Sequence, residues 1–109
     1  MTSATFWNRW SRHISRPQAT HEVLVDDERV CVTRWDFAPG AETGWHRHQL
    51  DYVVTPVTDC AFLLEEPGGT SRRVDMKAGA SYRRAAGVEH NVVNGGTAAM
   101  SFVEVELKG

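Results

Sequence analysis

A chain of 109 residues, 41% hydrophobic and 24% charged, has the composition of one soluble globular domain, at a length where a single core suffices. Its formal net charge of −2, with basic residues scattered apart from Arg72-Arg73 and Arg83-Arg84, excludes the concentrated basic face that nucleic acid or an anionic membrane requires. No apolar run reaches bilayer length and the first residues carry no apolar signal core, so Cys31 and Cys60 read as free thiols in a reducing cytoplasm.

The first nineteen residues do not alternate. Phe6, Trp7 and Trp10 stand among polar neighbours, and Pro17 ends any helical turn there. So aromatic a segment is expected to pack, as an arm, on the remaining domain (20–109) or on a second copy of the chain. From Thr20 the pattern becomes that of short strands. His21–Val25 reads as a strand and Asp26–Glu28 as a turn. Arg29–Phe37 alternates, with Cys31, Thr33, Trp35 and Phe37 on one face and Val30, Val32, Arg34 and Asp36 on the other. Pro39-Gly40 turns the chain into a segment holding His46 and His48. Asp51–Val57 is rich in β-branched residues, and Pro56 removes one ladder donor, which places that strand at an edge or at a bulge. Strands follow at Cys60–Glu65 and Ser71–Met76 around the Pro67-Gly68-Gly69 hairpin signal, then at Ser81–Arg84, His90–Asn94 and Ala98–Leu107. Eight or more short strands with regular turns and almost no helix predict an all-β sandwich or barrel.

Two stretches carry the chemistry. His46 and His48 are two residues apart, so a strand points both to one side. His90 follows about forty residues later. Imidazole is the commonest side-chain ligand of late first-row divalent metals, so these three are the candidate metal ligands. His13 and His21 are assigned no role. Asp51 points away if its strand is regular, and reaches the site only through a bulge. Trp45 and Phe62 read as wall or core. Glu89 either orients His90 or faces solvent. Tyr82 and Arg84 share one face and Arg83 the other. One of the arginines is a candidate carboxylate partner, although two solvated rim residues are the plainer expectation.

Together the two stretches resemble the two motifs of the cupin superfamily. Gly40, His46 and His48 match the first motif, with Tyr52 where its Glu is expected and no closing Gly after Asp59-Cys60. Gly79, Gly87, His90 and Asn94 match the second, with Ala85 in place of its Pro. The resemblance spans roughly residues 30–105. It implies a double-stranded β-helix, or jelly-roll, barrel holding a divalent cation (iron, zinc, nickel, manganese or copper) on His46, His48 and His90. The arrangement is similar to the three-histidine centre of thiol dioxygenases, which are cupins lacking the Glu ligand. It also resembles small cupins grouped with β-alanine degradation, which share the run Asp51-Tyr52-Val53-Val54. Three neutral imidazoles leave such a centre at +2, which favours a small anionic ligand, a carboxylate or a thiol. Tyr52, with an unperturbed pKa of about 10, enters as a neutral hydroxyl that positions substrate. Two functions remain open: a metal-dependent, dioxygenase-like enzyme, or a module that binds a metabolite without turnover. A homodimer is expected in either case.

Overall fold

Nine strands, all paired antiparallel, account for the regular structure of residues 16–109, which the computed structural model describes. They are β1 (Thr20–Asp26), β2 (Val30–Phe37), β3 (His46–Arg47), β4 (Tyr52–Pro56), β5 (Cys60–Glu66), β6 (Thr70–Met76), β7 (Tyr82–Arg84), β8 (Glu89–Asn94) and β9 (Met100–Leu107). No helix occurs among the described residues, and none is long and apolar enough to cross a membrane. One sheet runs β1-β2-β9-β4-β7 and the other β3-β8-β5-β6. From β2 to β5 and again from β6 to β9 the chain alternates between the sheets, as the expected double-stranded β-helix requires, while β1-β2 and β5-β6 pair within one sheet.

The predicted arm lies outside the described residues up to position 15. Residues 16–19 are fastened to the loop at Glu42: its N–H donates to the Pro17 carbonyl at 2.9 Å, and the Ala19 N–H donates to its carbonyl at 2.8 Å. The Arg16 guanidinium reaches Glu42 and Glu65, each at 3.1 Å.

Alternation decides which residues meet between the sheets. Tyr52 and Val54 of β4, Phe62 and Leu64 of β5, and Met100 and Phe102 of β9 are all buried. Phe102 is the hub, with ring centroids 5.5 Å from both Phe37 and Phe62. Beyond Phe102 the same face of β9 carries Glu104 and Glu106. One half of the strand therefore seats the apolar core and the other half faces the site described below.

Pro56 does not mark an edge, because β4 lies between β9 and β7. It is tolerated because β7 pairs only with Tyr52–Val54, so the chain stops donating to that side before the proline. Asn94, at the end of β8, clamps two loops. Its amide donates to the carbonyls of Phe37, Ala38 and Ala98, and its side-chain oxygen accepts the Gly96 N–H at 3.0 Å. It is 2% exposed, so removing it strands several backbone groups away from water. Asn94→Ala should cost about 2–3 kcal/mol, read from urea unfolding. A loss below about 0.5 kcal/mol, the size of an ordinary surface substitution, contradicts this role.

Candidate metal centre

β3 is only two residues long, but its pairing sets His46 directly opposite His90 on β8. His48 lies past the end of β3, so strand alternation does not by itself deliver it. A reciprocal pair of backbone bonds does: His48 N–H donates to the Val88 carbonyl, and the His48 carbonyl accepts the Gly87 N–H, both at 2.8 Å. Gly87 makes this turn at φ +99°, a region costly for residues with a Cβ. The result is that His48 Nε2 stands 3.1 Å from His46 Nε2 and 3.2 Å from His90 Nε2. Metal–imidazole bonds of about 2.0–2.1 Å at tetrahedral to right angles separate the nitrogens by roughly 2.9–3.4 Å. The triad therefore has the spacing of a donor set around one cation.

The ring of His46 is oriented from behind. Its Nδ1 is 2.9 Å from the Gly44 carbonyl. A carbonyl only accepts, so Nδ1 carries the proton and Nε2 keeps its lone pair. Gly44 sits at φ +91°, and its N–H donates to Asn91 Oδ1 at 2.9 Å. The Asn91 amide donates in turn to Glu42 at 2.8 Å and Glu65 at 2.9 Å, the two carboxylates that Arg16 bridges. Among the described residues neither the buried His90 Nδ1 nor the buried Tyr52 hydroxyl has a hydrogen-bond partner. The Tyr52 ring stacks on His48 at 3.8 Å between centroids.

Burial governs the protonation of the site. It is the largest cause lowering His48 to about 4 and His90 to about 3, with His46 the next contributor to each. Both imidazoles are thus neutral near pH 7, the form that ligates metals. Burial likewise raises the Tyr52 hydroxyl, which stays protonated. Glu104 Oε2 lies 3.9 Å from His48 Nε2, too far for a hydrogen bond, and a neutral His48 forms no ion pair with it. Burial first, and then Glu106, raises the Glu104 carboxyl to about 7.

The other candidates sort by face. Asp51 does not approach the histidines: it accepts from Arg83 and from the Ala86 N–H, each at 2.8 Å. Glu89 is taken by the Trp45 indole N–H at 3.0 Å and does not orient His90. Trp45 is 51% exposed, not wall or core, whereas Phe62 is core. Arg84 departs from the rim expectation. It is half-buried and, with Arg72 and Tyr82, lines a cavity of about 370 Å³. A second cavity, of about 250 Å³, is lined by His46, His48, Trp35, Phe102, Glu104 and Glu106, among others. A larger recess of about 440 Å³ includes none of the histidines. Sequence reasoning missed Asn91 and Glu104. Inward alternation from Phe102 was the available signal for Glu104; for Asn91 there was none.

Comparison with known proteins agrees with the barrel and its motifs. The family model described as "Cupin domain" matches residues 33–106. The chain is 56% identical over 93 residues to the β-alanine degradation protein BauB of Pseudomonas aeruginosa, covering 85% of this chain and 97% of that one. A solved cupin domain from Bordetella pertussis superposes with a TM-score of 0.82 at 52% identity, over 86% of this chain and 97% of the other. The polyketide cyclase RemF of Streptomyces resistomycificus shares the fold alone, with a TM-score of 0.67 at 22% identity over 86% of this chain and 70% of that one.

The lowered imidazoles fix a pH dependence. His48 and His90 hold protons less readily folded than unfolded, so below the ordinary value of 6.5 the unfolded chain takes up more of them. Stability then falls with pH. Glu104 acts the opposite way between 4.5 and about 7, but it is one group against two. Urea unfolding of the metal-free protein should therefore show stability declining from pH 6.5 toward pH 4, and a flat or rising profile contradicts the burial of the two rings.

Proposed function

The chain belongs to the cupin family, and from that premise we propose that it is a small metal-binding cupin acting on a small anionic metabolite, a carboxylate or a thiol. The observation that carries the reading is the meeting of three imidazole Nε2 atoms from two distant segments. His46, His48 and His90 would hold a divalent ion, with iron(II), zinc, nickel, manganese and copper all compatible with three nitrogen donors. Bound there, the ion supplies a Lewis acid or, as iron(II), the redox partner of a dioxygenase-type reaction.

The chain's own side chains do the remainder. Tyr52 has a protonated hydroxyl with no partner among the described residues, so it is placed to donate to a bound ligand. Arg84, which has no carboxylate partner among the described residues, offers positive charge to an anion. The cavity beside His46 and His48 admits a small molecule to the donor set, and this supports turnover. The alternative, a module that binds without turnover, draws support from the deep burial of His48 and His90, at 5% and 3% exposure. The Pseudomonas aeruginosa relative is named for β-alanine degradation, and we extend to this chain a role in small amino-acid or carboxylate metabolism. The free thiols of Cys31 and Cys60 suit the cytoplasm.

We assign the chain a homodimer as well. Among the described residues β1 is an open edge of its sheet, and Val23, Leu24 and Val25 are 52%, 48% and 44% exposed there. A bare apolar edge invites a second strand, and the arm 1–19 would join the same contact. Leu24 sits at a bulge without a register partner on β2, so Leu24→Asp leaves the ladder intact. It should convert a dimer to a monomer in sedimentation velocity, whereas an unchanged profile removes β1 from the interface.

The metal reading is tested by elemental analysis of protein purified without chelator or nickel affinity. About one equivalent of a divalent metal is expected in the wild type and almost none in His46→Ala or His90→Ala folded by circular dichroism. Unchanged metal in either variant overturns the assignment.

A further inference from the structure

Three neutral imidazoles leave the full double charge of a divalent cation inside a buried site. Among the described residues, Glu104 and Glu106 are the carboxylates grouped with His48, and Glu104 is the one whose oxygen stands 3.9 Å from the ring nitrogen. Its side chain is 14% exposed. No N–H or O–H donates to it among the described residues, and Glu106, a like charge, is its charged neighbour. A carboxylate removed from water with neither donor nor counter-charge is costly, unless something positive completes its surroundings.

The strand register explains why it is there. β4 and β9 are neighbours, with Tyr52 opposite Glu106 and Val54 opposite Glu104. Glu104 is therefore the diagonal neighbour of Tyr52 on the inner face, and Tyr52 is stacked on His48. His48, Glu104 and Glu106 also bring ligating atoms within 4.8 Å of one another, as the three histidines do, and His48 belongs to both groups. Two bonds of about 2.1 Å from one cation span up to about 4.2 Å between donors, so the His48–Glu104 separation of 3.9 Å lies inside the reach of a single ion. Glu104 is grouped with His48 and Glu106 and not with His46 and His90, so its carboxylate must turn toward the triad to share that ion. The Tyr52 hydroxyl is buried and has no hydrogen-bond partner among the described residues.

We propose that Glu104 is the fourth protein ligand of the cation held by His46, His48 and His90, an assignment that rests on the triad binding a cation at all. The carboxylate lowers the centre from +2 to +1. It comes from the last strand, not from either histidine segment, and octahedral coordination would leave two positions for ligand.

Cobalt(II) titration of the chelator-treated full chain tests this, read by visible d–d absorption and by competition with a chelating dye. Glu104→Gln should still take one equivalent but bind at least about tenfold more weakly, with altered band positions and intensities. Glu106→Gln should stay within about threefold of wild type. Metal-free Glu104→Gln should unfold in urea no earlier than wild type, because it sheds a buried unpaired charge. An affinity and spectrum unchanged by Glu104→Gln, while His90→Ala abolishes binding, overturns the fourth ligand and leaves the triad standing. A wild-type chain that binds no cobalt overturns both.

Discussion

The structure depends on the short pairing of His46–Arg47 with β8. That pairing sets the half-buried imidazole of His46 against the buried one of His90, and the turn at Gly87–Val88 brings in the third. Nothing in the hydrophobic effect favours such a cluster. Each ring gives up solvation, and each lone pair looks toward two others. The barrel tolerates this because the surrounding polar groups are fixed independently of any ligand. Asn91 ties the Gly44 loop to Glu42 and Glu65, and Arg16 ties those carboxylates to the segment that precedes β1. Polar networks satisfied in this way hold one arrangement, and here they hold the three imidazoles together without any ligand.

Charge is distributed unevenly around that set. Arg84 and Arg72 border one cavity, while Glu104 and Glu106 border the one that touches His46 and His48. A divalent ion held by the three histidines, as proposed, would have the glutamate-lined cavity on one side and would discriminate its ligands by charge. Under the proposed function a carboxylate or thiolate would be drawn to such an ion and to Arg84, and the glutamates would oppose a second negative group near β9. Tyr52, placed between them with a protonated hydroxyl, adds a directional donor without altering net charge.

The strands, the hairpins and the three histidines were legible in the sequence because alternation and spacing are local. Gly40, His46, His48, Gly87, His90 and Asn94 carry the fold family in their order alone. What escaped was whatever depends on neighbours across the sheets. Period two puts Met100, Phe102, Glu104 and Glu106 on one face of β9, but two glutamates at a strand end read as solvated until the register with β4 is known. Pro56 implied an edge because a sequence does not show that β7 would stop two residues short. Trp45 looked like wall and is exposed, bonded to Glu89, since a single aromatic beside a histidine carries no signal of which way it turns. His46 and His48 converge as the spacing predicts, yet for His48 the cause is a turn and not a strand.

The most direct test of the account is an X-ray absorption spectrum of the full chain loaded with one equivalent of zinc. Convergence of His46, His48 and His90 on one ion predicts three imidazole nitrogens at about 2.0–2.1 Å, with the outer-shell scattering of histidine rings. A first shell of oxygen alone, without ring scattering, would show that the cation binds elsewhere and that the three rings meet for some other reason.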